Sequence, residues 1–122
     1  MSQLYFAKSH EWVRFTEEGA EVGLSDHAQQ ALGDLVFVNL PAVGDPVEAG
    51  VVAADVESVK AVSDIYSPVS GTVSAVNDAL LDAPERINEA PYEAWLFRVE
   101  DVSEKGELMT EEEYAQYLAQ EE

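Results

Sequence analysis

The chain of 122 residues has no cysteine. That excludes disulfides, thiolate metal sites and a cysteine nucleophile, and it suits a reducing compartment. Positive charge is scarce: six Lys and Arg stand against 25 Asp and Glu, a formal net charge of −19. Such a field repels nucleic acid and anionic membranes and steers a protein toward basic partner surfaces. A saline host or plain solubility would account for the same acidity. Long apolar runs are also missing, so no segment is expected to span a bilayer. The opening stretch "MSQLYFAKSHEW" shows neither a basic-then-apolar leader nor an Arg-rich transit pattern. The expectation is a protein of the cytoplasm, or of the mitochondrial matrix had a transit peptide been removed.

Catalytic signatures are equally sparse. The two histidines, His10 and His27, are too few and too isolated for a metal site. There is no P-loop or G-x-G-x-x-G pattern, and the acidic clusters lack calcium-loop spacing. Ser9, His10 and Glu11 are adjacent, but neighbours on a strand point to opposite faces and cannot line up as a nucleophile relay. No catalytic residue and no metal ligand is expected.

What is present reads as one small, mainly β domain over residues 1–122. "LYFAKSHEWVRF" and "AEVGL" flank a turn at "EEG", a hairpin pattern. "SDHAQQALG" predicts a short helix: Ser25 caps it, Ala28, Ala31 and Leu32 share a face, and Gly33 stops it. "LVFVNL" (35–40) is a continuous apolar run ending at Pro41, which predicts a buried strand. Further strands are predicted at "VVAADVES", "AVSDIY" and "TVSAV", with "SPVSG" as the turn between the last two. "NDALLDAPERIN" predicts a Pro-interrupted helix capped by Asn77 or Asp78. In "WLFRV" (95–99), Trp95, Phe97 and Val99 are expected on one face of a strand. "MTEEEYAQYLAQEE" is the clearest helix. Thr110 and Glu113 form a capping-box pattern, Met109 can staple to Tyr114, and Tyr114, Tyr117 and Leu118 make the stripe to be buried.

One lysine stands out. Lys60 is among only three lysines (Lys8, Lys60, Lys105) and interrupts a Val- and Ser-rich strand pattern just before "SPVSG". An ordinary surface lysine is one reading. A Schiff-base lysine needs a desolvated pocket, which the acidic field opposes by favouring the charged form. A lysine displayed at a stiff hairpin tip for covalent modification is the third reading, and the β-branched residues on both sides provide the strands for it.

Here the pattern becomes specific. Gly44-Asp45-Pro46-Val47, Gly50, Glu57-Ser58-Val59-Lys60, Ser67-Pro68, Gly71 and Val73 together resemble the lipoyl/biotinyl carrier pattern. Biotin carriers usually place the lysine between methionines; Val59 and Ala61 flank it here, which favours lipoate. "SHEWV", "VGLSDHAQQALGDLVFVNLP", "ESVKAVSDIYSPVSG", "VNDAL", "INEAPYEAWL" and "EEEY" resemble, in family order, the H proteins of the glycine cleavage system. The likeness covers nearly the whole chain; "PYEAWL" departs from it by being shorter than the usual family form.

The resemblance implies a barrel-sandwich hybrid of the lipoyl/biotinyl carrier type, with short helices and a C-terminal helix packed outside. Strands 51–58 and 61–66 would form the hairpin carrying Lys60. It implies a non-catalytic, monomeric carrier with lipoate amide-linked to Lys60. Its partners would be a pyridoxal-phosphate glycine decarboxylase, an aminomethyltransferase, dihydrolipoamide dehydrogenase and a lipoate-attaching enzyme. It further implies a pocket for the loaded arm formed by Ser9, Glu11 and Asp64. Two other readings stand beside it: a carrier relaying lipoyl groups to other acceptors, and an unmodified β-scaffold interaction module.

Overall fold

The computed structural model describes residues 3–121, with side chains to residue 120. The chain is mainly β with short helices and a C-terminal helix. In order it runs β1 (Leu4–Ala7), β2 (Glu11–Thr16), β3 (Gly19–Leu24), α1 (Asp26–Leu32), β4 (Leu35–Asn39), β5 (Pro46–Val47), β6 (Val52–Ser58) and β7 (Val62–Tyr66). There follow β8 (Val69–Val76), α2 (Ala79–Asp82), α3 (Arg86–Glu89), β9 (Phe97–Lys105), β10 (Leu108–Thr110) and α4 (Glu111–Glu121).

Two antiparallel sheets form. One has seven strands in the order β10-β1-β2-β3-β9-β8-β5, the other three in the order β4-β6-β7. Their inner faces meet in one core, where Val13, Val22, Val73 and Val99 of the larger sheet pack with Leu35, Val38, Val56 and Ile65 of the smaller. Strands β1 and β2 are covered on both faces. Tyr5 and Val13 turn toward that core. Phe6 and Trp12 turn the other way, into a second cluster closed by Tyr114 of α4. Period-two alternation therefore feeds two cores from one pair of strands.

The C-terminal helix is set as its sequence requires. The Thr110 hydroxyl accepts from Glu113 N–H at 3.2 Å, and the Glu113 carboxylate accepts from Thr110 N–H at 2.9 Å. Met109 packs on the cluster around Tyr114, whose ring stacks on Phe6 at 4.3 Å. Ser25 caps α1 by accepting from Ala28 N–H at 3.2 Å. Ala28 and Leu32 pack on the core as expected, whereas Ala31 is exposed.

Several local expectations are corrected. β4 is not a buried strand: a bulge between Leu35 and Phe37 breaks its register with β6, and both Val36 and Phe37 face outward. "SPVSG" is not all turn, because Val69, Ser70 and Gly71 already belong to β8. Gly71 is needed there: a Cβ would stand 2.5 Å from Val99 Cγ1 and 2.6 Å from the Glu100 carbonyl oxygen. Asp78 makes no side-chain cap, and the Asn77 amide donates instead to the Trp95 carbonyl at 2.9 Å. Trp95 does not share the face of Phe97 and Val99. Strand pairing starts at Phe97, so Leu96 enters the main core while Trp95 packs beside the α4 cluster.

Candidate functional site

Lys60 lies between β6 and β7, exposed at the tip of their hairpin. The pairing Glu57↔Val62, Val56↔Ser63 and Asp55↔Asp64 fixes the tip at Ser58–Ala61. Ser58 organises it. Its N–H donates to the Ala61 carbonyl at 2.8 Å, and its hydroxyl oxygen accepts from Lys60 N–H at 3.2 Å and Ala61 N–H at 3.0 Å. A hydroxyl folded back onto the next two amides is the local bond that favours serine in turns.

The tip is also held from outside. Val59 N–H donates at 3.1 Å to the carbonyl of Asp34, in the corner between α1 and β4. Gly33, at φ 83°, occupies the left-handed region that favours glycine. The Lys60 side chain lies across it, its Cε 3.5 Å from where a Cβ on Gly33 would stand. The hairpin tip and the α1–β4 corner thus form one unit, with the amine beyond it in solvent.

Along β7 from the tip, Val62, Asp64 and Tyr66 alternate outward while Ile65 enters the core. Val62 to Tyr66 spans about 13 Å at the usual strand rise. At the Tyr66 end is a cleft of about 270 Å³, bounded by the β1–β2, β7–β8 and β9–β10 turns. Ser9, Glu11, Tyr66, Ser67 and Pro68 are among its lining residues, with Lys8 and Glu107 on one wall. Lys8 and Glu107 pair across that wall at 3.4 Å.

Glu11 is the unusual group here, a carboxylate only 1% exposed. One of its oxygens accepts from the Ser9 hydroxyl, and the other accepts from Tyr66 N–H at 3.0 Å. Burial raises its pKa above the ordinary carboxylate value, against the lowering effect of those hydrogen bonds. The bond to Tyr66 ties β2 to β7, so the Ser9–Glu11 segment lies beside the hairpin strand that follows Lys60.

The structure thus brings Ser9 and Glu11 together in one cleft. Asp64 is not among the lining residues; it is exposed on β7, between Lys60 and the cleft. His10 belongs to neither. Its ring stands against His27 at 4.7 Å, and its Nδ1 lies 2.8 Å from the Tyr114 hydroxyl. Two contributors escaped sequence reasoning. The Tyr66 amide that holds Glu11 leaves no trace in side-chain pattern. Gly33-Asp34 reads as a helix stop, and only the fold gives it the second task of bracing Lys60.

Comparison with known proteins covers the full length of the site. The family described as glycine cleavage H-protein matches residues 4–121. A glycine cleavage system H protein of Lachnoclostridium phytofermentans is 56% identical over 122 residues, covering 99% of this chain and 96% of that one. One of Rubrobacter xylanophilus is 53% identical, covering 98% and 94%. Among solved structures, a glycine cleavage system H protein from Mycobacterium marinum superposes with a TM-score of 0.91 at 40% identity, covering 96% of this chain and 97% of that one.

Proposed function

The chain belongs to the glycine cleavage H-protein family, and from that premise we propose that it is a lipoylated carrier with lipoate amide-linked to Lys60. One observation carries the reading: Lys60 is exposed at a hairpin tip pinned both by Ser58 and by the Asp34 carbonyl. An amine presented on so stiff a support is open to a lipoate-attaching enzyme. In that step the neutral ε-amine attacks an activated acyl carbonyl, an adenylate or a thioester. The C–N bond forms, the acyl–O or acyl–S bond breaks, the leaving group departs with the electron pair, and the amine proton passes to solvent. The lysine charge is thereby lost.

Once bound, lipoate supplies a disulfide–dithiol couple and a sulfur that can carry a one-carbon unit. In this reading the protein moves an aminomethyl group from a pyridoxal-phosphate glycine decarboxylase to an aminomethyltransferase, and electrons to dihydrolipoamide dehydrogenase. It acts as a single monomeric carrier domain over residues 1–122, in the cytoplasm. The chain contributes no catalytic group; it contributes proximity, turning encounters with a diffusing thiol into oriented ones. Ser9 and Glu11 fit the arm's far end. The cleft offers a carboxylate to a cationic amine, and Ser9 and the Tyr66 amide orient that carboxylate. In this reading Asp64, exposed on β7 between the tip and the cleft, meets the same cation on its way.

Attachment is tested by incubating the protein with a lipoate–protein ligase, lipoate and ATP, then measuring intact mass and mapping the modified peptide. One lipoyl adduct on Lys60 is expected, and a folded Lys60→Arg variant should gain none. An adduct on Lys8 or Lys105 instead would overturn the reading.

A further inference from the structure

The turn between β1 and β2 builds one wall of the cleft. Ala7, Lys8, Ser9 and Glu11 all line it, and His10 in their midst does not. The backbone of His10 is left-handed, at φ 78°. Lys8, Ser9 and His10 make a three-residue hairpin loop, closed by His10 N–H donating to the Ala7 carbonyl at 2.9 Å. The third position of such loops takes the left-handed conformation and ordinarily carries glycine. A histidine there bears a backbone cost that glycine would not. The loop can close without an imidazole, so what the imidazole adds lies in its contacts.

Those contacts run to the helices on the far side of the turn. Nδ1 of His10 lies 2.8 Å from the Tyr114 hydroxyl of α4, and that hydroxyl lies 2.8 Å from Oγ of Ser25, the cap of α1. Ser25 N–H donates to the His10 carbonyl at 3.0 Å, so backbone and side chain fasten His10 to the same corner. The His27 ring of α1 stands 4.7 Å from the imidazole and the Tyr117 ring of α4 6.2 Å. On the cleft side, Ser9 and Tyr66 N–H hold the two oxygens of Glu11. His10 is where a pinned corner meets a carboxylate that must keep its place to receive a cation.

We propose, resting on the reading that the cleft receives the amine of the loaded arm, that His10 is the positioning residue of the cleft: its ring, bonded to Tyr114, holds the turn so that Ser9 and Glu11 keep one geometry toward an incoming ammonium group. The imidazole faces away from the cleft and acts through the backbone on either side of it. The C-terminal helix therefore helps to set the cleft, since Tyr114 is the far end of the tether. Loss of the Tyr114 hydroxyl should affect Glu11 as loss of the imidazole does.

Native-state amide exchange on the unmodified full-length protein reads the seat of Glu11 directly, because Tyr66 N–H donates to it. His10→Gly removes the ring at a position glycine occupies without strain. Tyr114→Phe removes only the hydroxyl, and it decides the matter if His10→Gly fails to fold. In each, exchange at Tyr66 should rise roughly fivefold, the factor set by one neutral hydrogen bond, while the ladder amides of β6 and β9 stay within about twofold of wild type. The double variant should exchange no faster than the quicker single one, since both substitutions cut the same bond. Faster exchange in α4 with Tyr66 unchanged would make His10 a seat for the helix alone and overturn the proposal. Two effects that multiply in the double variant overturn it, as does an equal loss of protection in β6 and β9. The same variants and Glu11→Ala are then lipoylated and loaded, and the spontaneous loss of the aminomethyl group to water is timed. That loss should quicken in Glu11→Ala and, by roughly the factor seen at Tyr66, in both single variants. A quicker loss in Glu11→Ala alone overturns the role of His10 and leaves the cleft reading standing. An unchanged loss even in Glu11→Ala overturns the cleft reading, and exchange at Tyr66 still decides whether His10 positions Glu11.

Discussion

Glu11 is a carboxylate held where charge is costly. Its pKa is raised because burial disfavours the ionised form more than Ser9 and the Tyr66 amide favour it. A cation entering the cleft reverses that balance, so the cleft should hold an amine more tightly as pH rises and Glu11 ionises. The same shift touches stability. A carboxyl whose folded pKa exceeds its unfolded value of 4.5 binds its proton more tightly in the folded state. Its contribution is therefore most favourable below pH 4.5 and is lost as pH rises through the raised folded value. Glu11→Gln, uncharged throughout, lacks that loss. In urea unfolding, the stability of Glu11→Gln relative to wild type should climb with pH above 4.5. The slope cannot exceed about 1.4 kcal/mol per pH unit, the limit for one proton. A flat difference would show that Glu11 titrates normally, and one that falls with pH would show that the fold favours its ionised form instead.

At the scale of elements, α4 shows how far a helix can be specified locally and how it still depends on the fold. Its capping box closes within four residues, yet its Tyr114 is seated on Phe6 and Trp12, and the Tyr114 hydroxyl also lies 2.8 Å from Ser25 Oγ. Thr110→Ala should destabilise the protein by about 1 kcal/mol, the usual worth of an N-cap. Amide exchange should rise first in the opening turn of α4; uniform protection loss across both sheets would mean that the cap acts through the core instead. This helix was legible in the sequence because its signals lie within a few residues, and so was the Lys60 hairpin, with its strand runs on both sides and its small turn residues. The β4 run misled for the opposite reason. A continuous apolar stretch reads as buried, whereas the bulge that exposes Val36 and Phe37 is a pairing event with β6. The burial of Glu11 was illegible for a similar cause, since it depends on β2 meeting β7 across 55 positions of chain. The sequence pattern does group Ser9 with Glu11 by family likeness, but it says nothing of the amide that holds them.

For the molecule as a whole, charge is the dominant long-range property. Few cations are available to offset it, and most of those are engaged. Arg14 and Arg98 both bind Glu21 at 2.9 Å and lie over Trp12 and Trp95, Lys105 lies over Phe15, and Lys8 pairs with Glu107. Carboxylates far outnumber these cations, and the formal net charge is −19. Two consequences have opposite signs in salt. Self-repulsion between carboxylates opposes the compact state, so screening should raise the melting temperature. Attraction to basic partner surfaces should be screened as well, since exposed charges farther apart than about 8 Å barely interact at physiological ionic strength. Titrating salt from low to physiological and beyond, with the proposed decarboxylase or aminomethyltransferase partner, should therefore raise thermal stability while weakening docking. The loss should fall mainly on the association rate, because long-range charge steers encounter more than it holds a docked complex. If the melting temperature rises but affinity and association rate stay unchanged, the acidity serves solubility or a saline host. If the dissociation rate rises as well, the docked state is held by the same carboxylates that strain the free one, and the negative surface is part of the interface itself.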